Sequence, residues 1–128
     1  MPNLLPRPTD AELAILRVLW QHGPSTVRDV QQVLSRTRRT GYTTVLKLLQ
    51  IMLDKGLVRR DAARRTHVYR ARVSEDSTQR QLVGGLLERA FGGARTKLVM
   101  QALAARRATP EELAEIRRML DQLEGDIS

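Results

Sequence analysis

Four hydroxyl side chains, Thr40, Tyr42, Thr43 and Thr44, fall within five positions, and Lys47 follows about one helical turn later. This set suits recognition of a polyanion better than bond breaking. Hydroxyls can bond base edges or phosphates, and threonine methyls can meet thymine methyls in a major groove roughly 12 Å wide. Arginines flank the cluster at Arg17, Arg28, Arg38 and Arg39 on one side and Arg64 and Arg65 on the other. Guanidiniums there would chiefly contact phosphate, fixing position and supplying affinity without selecting sequence. The candidate DNA-contacting set is therefore Thr40, Tyr42, Thr43, Thr44, Lys47, Arg28, Arg38, Arg39, Arg64 and Arg65.

Other chemistries find no support. His22 and His67 lie 45 positions apart in unrelated segments and do not form a ligand pair. There is no HExxH, GxSxG, P-loop or GxGxxG, and the carboxylates are scattered among arginines rather than paired for acid–base work. With no cysteine, the chain has no disulfide framework, thiolate metal site or thiol nucleophile, and Cys-based redox or Cu(I) sensing is excluded. No enzyme, cofactor or metal site is expected.

The fold class expected is mainly α with a small β-hairpin. Thr9-Asp10-Ala11-Glu12 is a capping box opening a helix to about Gln21, with Leu13, Leu16, Leu19 and Trp20 at helical spacing and Trp20 in the core. Gly23-Pro24 stops it. Ser25 or Thr26 caps a second, short helix to about Ser35, striped by Val27, Val30, Val33 and Leu34. A third starts between Thr40 and Tyr42 and runs to Lys55, with Gly56 just past its end; Val45, Leu48, Leu49, Met52 and Leu53 face inward and Thr43, Thr44, Lys47, Gln50, Ile51 and Asp54 outward. Two strand-like segments, Leu57 to Asp61 and His67 to Ala71, enclose an arginine-tipped loop over 62–66. A helix-turn-helix followed by such a hairpin is a winged helix.

Beyond Ser74 the pattern is helical only. Leu82, Val83, Leu86, Leu87, Ala90 and Phe91 stripe a fourth helix ending at Gly92-Gly93, and Gly84-Gly85 inside it implies a close backbone approach or a kink. A fifth helix spans about Ala94 to Ala105, with Leu98, Val99, Ala102 and Leu103 apolar. Thr109-Pro110-Glu111-Glu112 starts a sixth, whose Leu113, Ile116, Leu120, Leu123 and Ile127 recur at spacings of 3, 4, 3 and 4. A heptad seam of this kind prefers another helix as partner. Leu82, Leu86, Leu98, Leu103, Leu113, Ile116, Leu120 and Leu123 are the expected dimerisation residues.

Charge divides the chain in the same place. Residues 1–73 hold 14 Lys/Arg against 5 Asp/Glu, and residues 74–128 hold 8 against 9, within a total of +8. A charged reader (1–73, winged-helix DNA-binding domain) joined to a nearly neutral module (74–128, three-helix dimerisation domain) is the expected organisation. Each half alone would bury only about 60% of its unfolded surface, so small halves of this kind often need a partner chain. Met1 to Pro8 carries no basic region followed by an apolar run, and no stretch approaches a membrane span; a cytoplasmic protein is expected.

Asp10-Ala11-Glu12-Leu13, Val18-Leu19-Trp20, Tyr42-Thr43-Thr44-Val45, Lys55-Gly56-Leu57-Val58 and Val68-Tyr69 together resemble the penicillinase and methicillin-resistance repressors, in an order and spacing covering essentially the whole chain. The resemblance implies a homodimeric repressor on a palindromic double-stranded DNA operator, with positions 43, 44 and 47 on the recognition helix and Arg64-Arg65 in the wing. It also implies release by a membrane sensor metallopeptidase that cuts the repressor within a stretch matching Val99 to Leu103, at Gln101 and Ala102, where those relatives carry Asn-Phe. Ile51 and Lys47 stand where those relatives carry Arg and Thr, which implies a different operator sequence. Two alternatives are a winged-helix regulator gated by a small molecule and a winged helix used for protein contacts alone, with no DNA bound.

Overall fold

The computed structural model describes residues 7–62 and 65–127. The described chain runs α1 (Asp10–His22), α2 (Val27–Leu34), α3 (Tyr42–Lys55), β1 (Val58–Asp61), β2 (Val68–Ala71), α4 (Glu75–Phe91), α5 (Arg95–Ala105) and α6 (Pro110–Ile127).

Local chemistry accounts for most of these boundaries. At α1 the Glu12 amide donates to Thr9 Oγ1 (3.2 Å) while the Thr9 amide donates to Glu12 Oε1 (2.9 Å). A second such box opens α2, where Thr26 and Asp29 exchange 3.1 Å bonds, so Thr26 rather than Ser25 is the cap. Ser25 instead bridges to the hairpin: its amide donates to the Tyr69 carbonyl (3.0 Å) and the Tyr69 amide to its carbonyl (2.8 Å). Gly56 ends α3 in the left-handed conformation (φ 82°), and the next amide, Leu57, reaches back to the Met52 carbonyl at 2.9 Å. An L side chain there would be strained, which is why glycine stops this helix.

The first three helices and the hairpin enclose one apolar core. Ile15, Leu16, Val18 and Leu19 of α1, Val27 and Val30 of α2, Val45, Leu49 and Met52 of α3, and Leu57, Val58 and Tyr69 are all buried. Burying each large member contributes roughly 1.5–3 kcal/mol of transfer free energy. Trp20 is half-buried against this core, and its indole N–H donates to the Val73 carbonyl (3.0 Å), a bond spanning 53 residues. β1 and β2 are antiparallel, pairing Val58 with Ala71, Arg59 with Arg70, Arg60 with Tyr69 and Asp61 with Val68. The result is a winged helix-turn-helix.

The chain separates into two compact units at Val83/Gly84, inside α4, ten residues past the change in charge at 73/74. Thr78 on the first turns of α4 is buried, so this part of the helix belongs with the first unit. In the second unit no described residue is buried: Leu98, Leu113 and Ile116 are half-covered, while Leu103, Leu120 and Leu123 are exposed. α6 starts on the anticipated box, with Thr109 and Glu112 exchanging 2.8 and 3.0 Å bonds. α4 runs unbroken through Gly84 and Gly85; among the described residues open space lies beside Gly84, and the nearest atoms beside Gly85 belong to the Arg89 side chain. No described helix is long and apolar enough to cross a membrane.

Candidate nucleic-acid interface

α3 presents two faces because its apolar residues recur every three or four positions. Val45, Leu49 and Met52 are fully buried, and this anchors the helix so that Thr43, Thr44, Lys47, Gln50, Ile51 and Asp54 are held outward. Its cap is Gly41, which offers no side-chain acceptor to the first amides. Those amides and the helix dipole make the start of α3 favourable to an anion.

Thr40 lies outside the helix, correcting its expected place at the helix start. Its hydroxyl donates to the Arg38 carbonyl (2.8 Å), and its own carbonyl accepts from Gln31 Nε2 (3.3 Å) and Ser35 Oγ (3.2 Å). These bonds tie down the connector between α2 and α3, leaving the Arg36, Arg38 and Arg39 side chains exposed on an ordered turn. Thr40 thus shapes the turn, which a hydroxyl next to glycine did not reveal by itself.

A cleft of about 570 Å³ opens between the start of α2, the start of α3 and the wing, lined among others by Thr26, Arg28, Tyr42, Arg65, Thr66 and His67. Three of the residues picked out in the sequence, Arg28, Tyr42 and Arg65, are therefore brought together from three separate elements. Thr43, Thr44 and Lys47 share the exposed side of α3, whereas Arg38 and Arg39 sit on the connector and Arg17 on the exposed side of α1; none of these lines the cleft. Arg64 lies outside the described residues. Thr66 and His67, placed by the sequence in the wing and not among the expected contacts, also line the cleft, and the position of His67 follows from the strand pairing that puts Tyr69 beside Ser25. Among the described residues no group of three or more His, Asp or Glu could hold a metal ion.

One ion pair braces the helix that carries this face. Glu12 of α1 is buried, and Lys55, the last residue of α3, donates to both of its carboxylate oxygens at 2.9 and 2.8 Å. Burial alone would raise the Glu12 pKa, but the hydrogen bond from Lys55, that from the Thr9 amide and the lysine charge outweigh it, so the carboxyl sits below its ordinary value. The sequence showed Glu12 only as a capping residue.

Comparison with known proteins agrees with this architecture. The family model described as penicillinase repressor matches residues 8–122. A transcriptional regulator, BlaI, of Mycobacterium tuberculosis is 35% identical over 125 residues, covering 94% of this chain and 88% of that one. The penicillinase repressor of Bacillus licheniformis is 25% identical over 118 residues, 92% of each chain. Among solved structures, the monomeric form of Bacillus licheniformis BlaI in complex with the blaP half-operator is 28% identical, covering 59% of this chain and 92% of that one with a TM-score of 0.50. A match over residues 8–122, carried by the capped α1, the α2–α3 pair, the wing and the tail, means that this chain belongs to the penicillinase repressor family.

Proposed function

We propose that this chain is a DNA-binding transcriptional repressor that lays α3 in the major groove while the connector, the start of α2 and the wing hold the flanking phosphates. The observation that carries the reading is the convergence of Arg28, Tyr42 and Arg65 around one cleft beside the exposed Thr43, Thr44 and Lys47 face of α3. A recognition helix lies in the major groove with its base contacts concentrated toward its N-terminus, and the neighbouring cations then meet the backbone on either side. Among relatives, the monomeric form of Bacillus licheniformis BlaI was solved in complex with a half-operator, and DNA binding by that relative supports the reading.

The reading extends to a homodimer. Val83, Leu86, Val99, Met100, Leu103, Met119, Leu120, Leu123 and Ile127 are all exposed large apolar side chains among the described residues, and the seam of α6, half-covered at Leu113 and Ile116, is exposed from Leu120 onward. Leaving so much apolar surface in water is unfavourable, and a second copy would cover it. Two half-sites gripped by one dimer benefit from high effective concentration, so separating the subunits lowers operator affinity by roughly 10²–10⁴ with every DNA contact intact. A membrane metallopeptidase sensor cutting near the exposed Gln101 and Ala102 of α5 is the release step in this reading.

Titrating the full-length protein against the duplex upstream of its own gene, beside a scrambled duplex of equal length, tests the core claim. Preferential binding of the native duplex that weakens steeply with salt is expected. Equal and salt-insensitive binding of both would refute it.

A further inference from the structure

Between Asp10 and Ala71 the exposed large apolar side chains among the described residues are Tyr42 and Ile51, both on α3. Tyr42 lines the cleft beside the wing, whereas Ile51, 39% exposed, is not part of that cleft. It stands on the outward face with Thr43, Thr44, Lys47 and Gln50, four residues beyond Lys47 and seven beyond Thr44. At about 1.5 Å per residue it is displaced about 6 Å from Lys47 along the helix. One turn further on, the exposed carboxylate of Asp54 would be repelled by phosphate, so the face able to lie against DNA ends at Ile51.

We propose that Ile51 is a specificity-determining residue that packs against the C5-methyl group of a thymine in the major groove, near the base edge met by Lys47. The inference rests on the DNA-binding reading above. The groove offers hydrogen-bonding edges to Thr43, Thr44, Lys47 and Gln50, but only one apolar feature, the thymine methyl. An isoleucine cannot hydrogen-bond through its side chain, so on this face it discriminates by covering that methyl, or by leaving the exposed edge of any other base unsatisfied. The preference would belong to this chain's own operator and not to the cleft, which takes phosphate irrespective of sequence.

The experiment uses the full chain and a duplex enriched by it from a random-sequence pool. Each thymine of that duplex is replaced in turn by deoxyuridine, which removes the methyl and changes no hydrogen-bonding group, and affinity is read by fluorescence anisotropy. For the wild type one thymine per half-site is expected to be sensitive, weakening binding about fourfold when one is replaced and about 15-fold when both are, the change for one methyl lost from apolar contact. Ile51→Ser is expected to bind thymine and uracil duplexes equally at that position while responding normally elsewhere, with an unchanged melting profile as the control for folding. The same uracil sensitivity in both proteins, or none in the wild type, would overturn the inference while leaving the DNA-binding reading intact. So would a variant whose main change is in self-association measured by sedimentation. A wild type that enriches no duplex would remove both.

Discussion

Replacing Lys55 with Met should destabilise the winged helix by about 2–3 kcal/mol, out of proportion to the modest surface that a partly exposed lysine covers. Its ammonium donates to both oxygens of Glu12, whose side chain is 2% exposed, while the lysine side chain is 29% exposed. Breaking a fully buried pair by removing one partner costs about 3–5 kcal/mol, because a charge is left uncompensated out of water. The opening to solvent at Lys55 and the remaining bond from the Thr9 amide reduce that figure here. Glu12→Gln is milder, about 1–2 kcal/mol, because its amide oxygen can still accept from Thr9 and the ammonium can turn to water. A double-mutant cycle from urea unfolding at neutral pH should then return a coupling of at least about 1 kcal/mol. Acidity supplies an independent arm. The folded Glu12 carboxyl is lowered, so its contribution is present in full above the ordinary value of 4.5 and is lost as pH falls through the folded value. The stability gap between wild type and Glu12→Gln should therefore close below that pH. Additive single mutants, together with a gap that persists into acid, would show that the pair does not brace α3.

Three further outcomes follow from the interface and the tail. Operator affinity should fall with log salt at a slope that Arg28→Gln or Arg65→Gln each reduces by about 0.9 per subunit, measured by anisotropy at several salt concentrations. Thr44→Val and Lys47→Ala should narrow the ratio of operator to random-sequence affinity, by roughly 1–3 kcal/mol for a lost base contact, whereas the arginine changes weaken both duplexes alike. Leu120→Asp with Leu123→Asp should yield a monomer in sedimentation at micromolar concentration, lowering operator affinity without changing the half-site contacts; a dimer that survives both substitutions would move the interface away from α6.

Much of the chain was legible from local rules. Thr9 with Glu12 and Thr109 with Glu112 mark helix starts because each pair satisfies amides within its own turn, and Gly56 marks an end because its φ of 82° suits glycine. The Val45, Leu49 and Met52 period chose which side of α3 faces outward, and segregated charge singled out the basic half. These signals depend on neighbours within one or two turns, so the sequence carries them outright. Tertiary structure decided what depends on distant residues: the bridge of Ser25 to Tyr69 in place of a cap, the use of Thr40 to lock a turn, and the burial of Glu12 against a lysine 43 positions away. It also gathered Arg28, Tyr42 and Arg65 around one cleft. Periodicity fixes the face of an element but not its neighbour across the core, because that choice is made by the packing of all the faces at once.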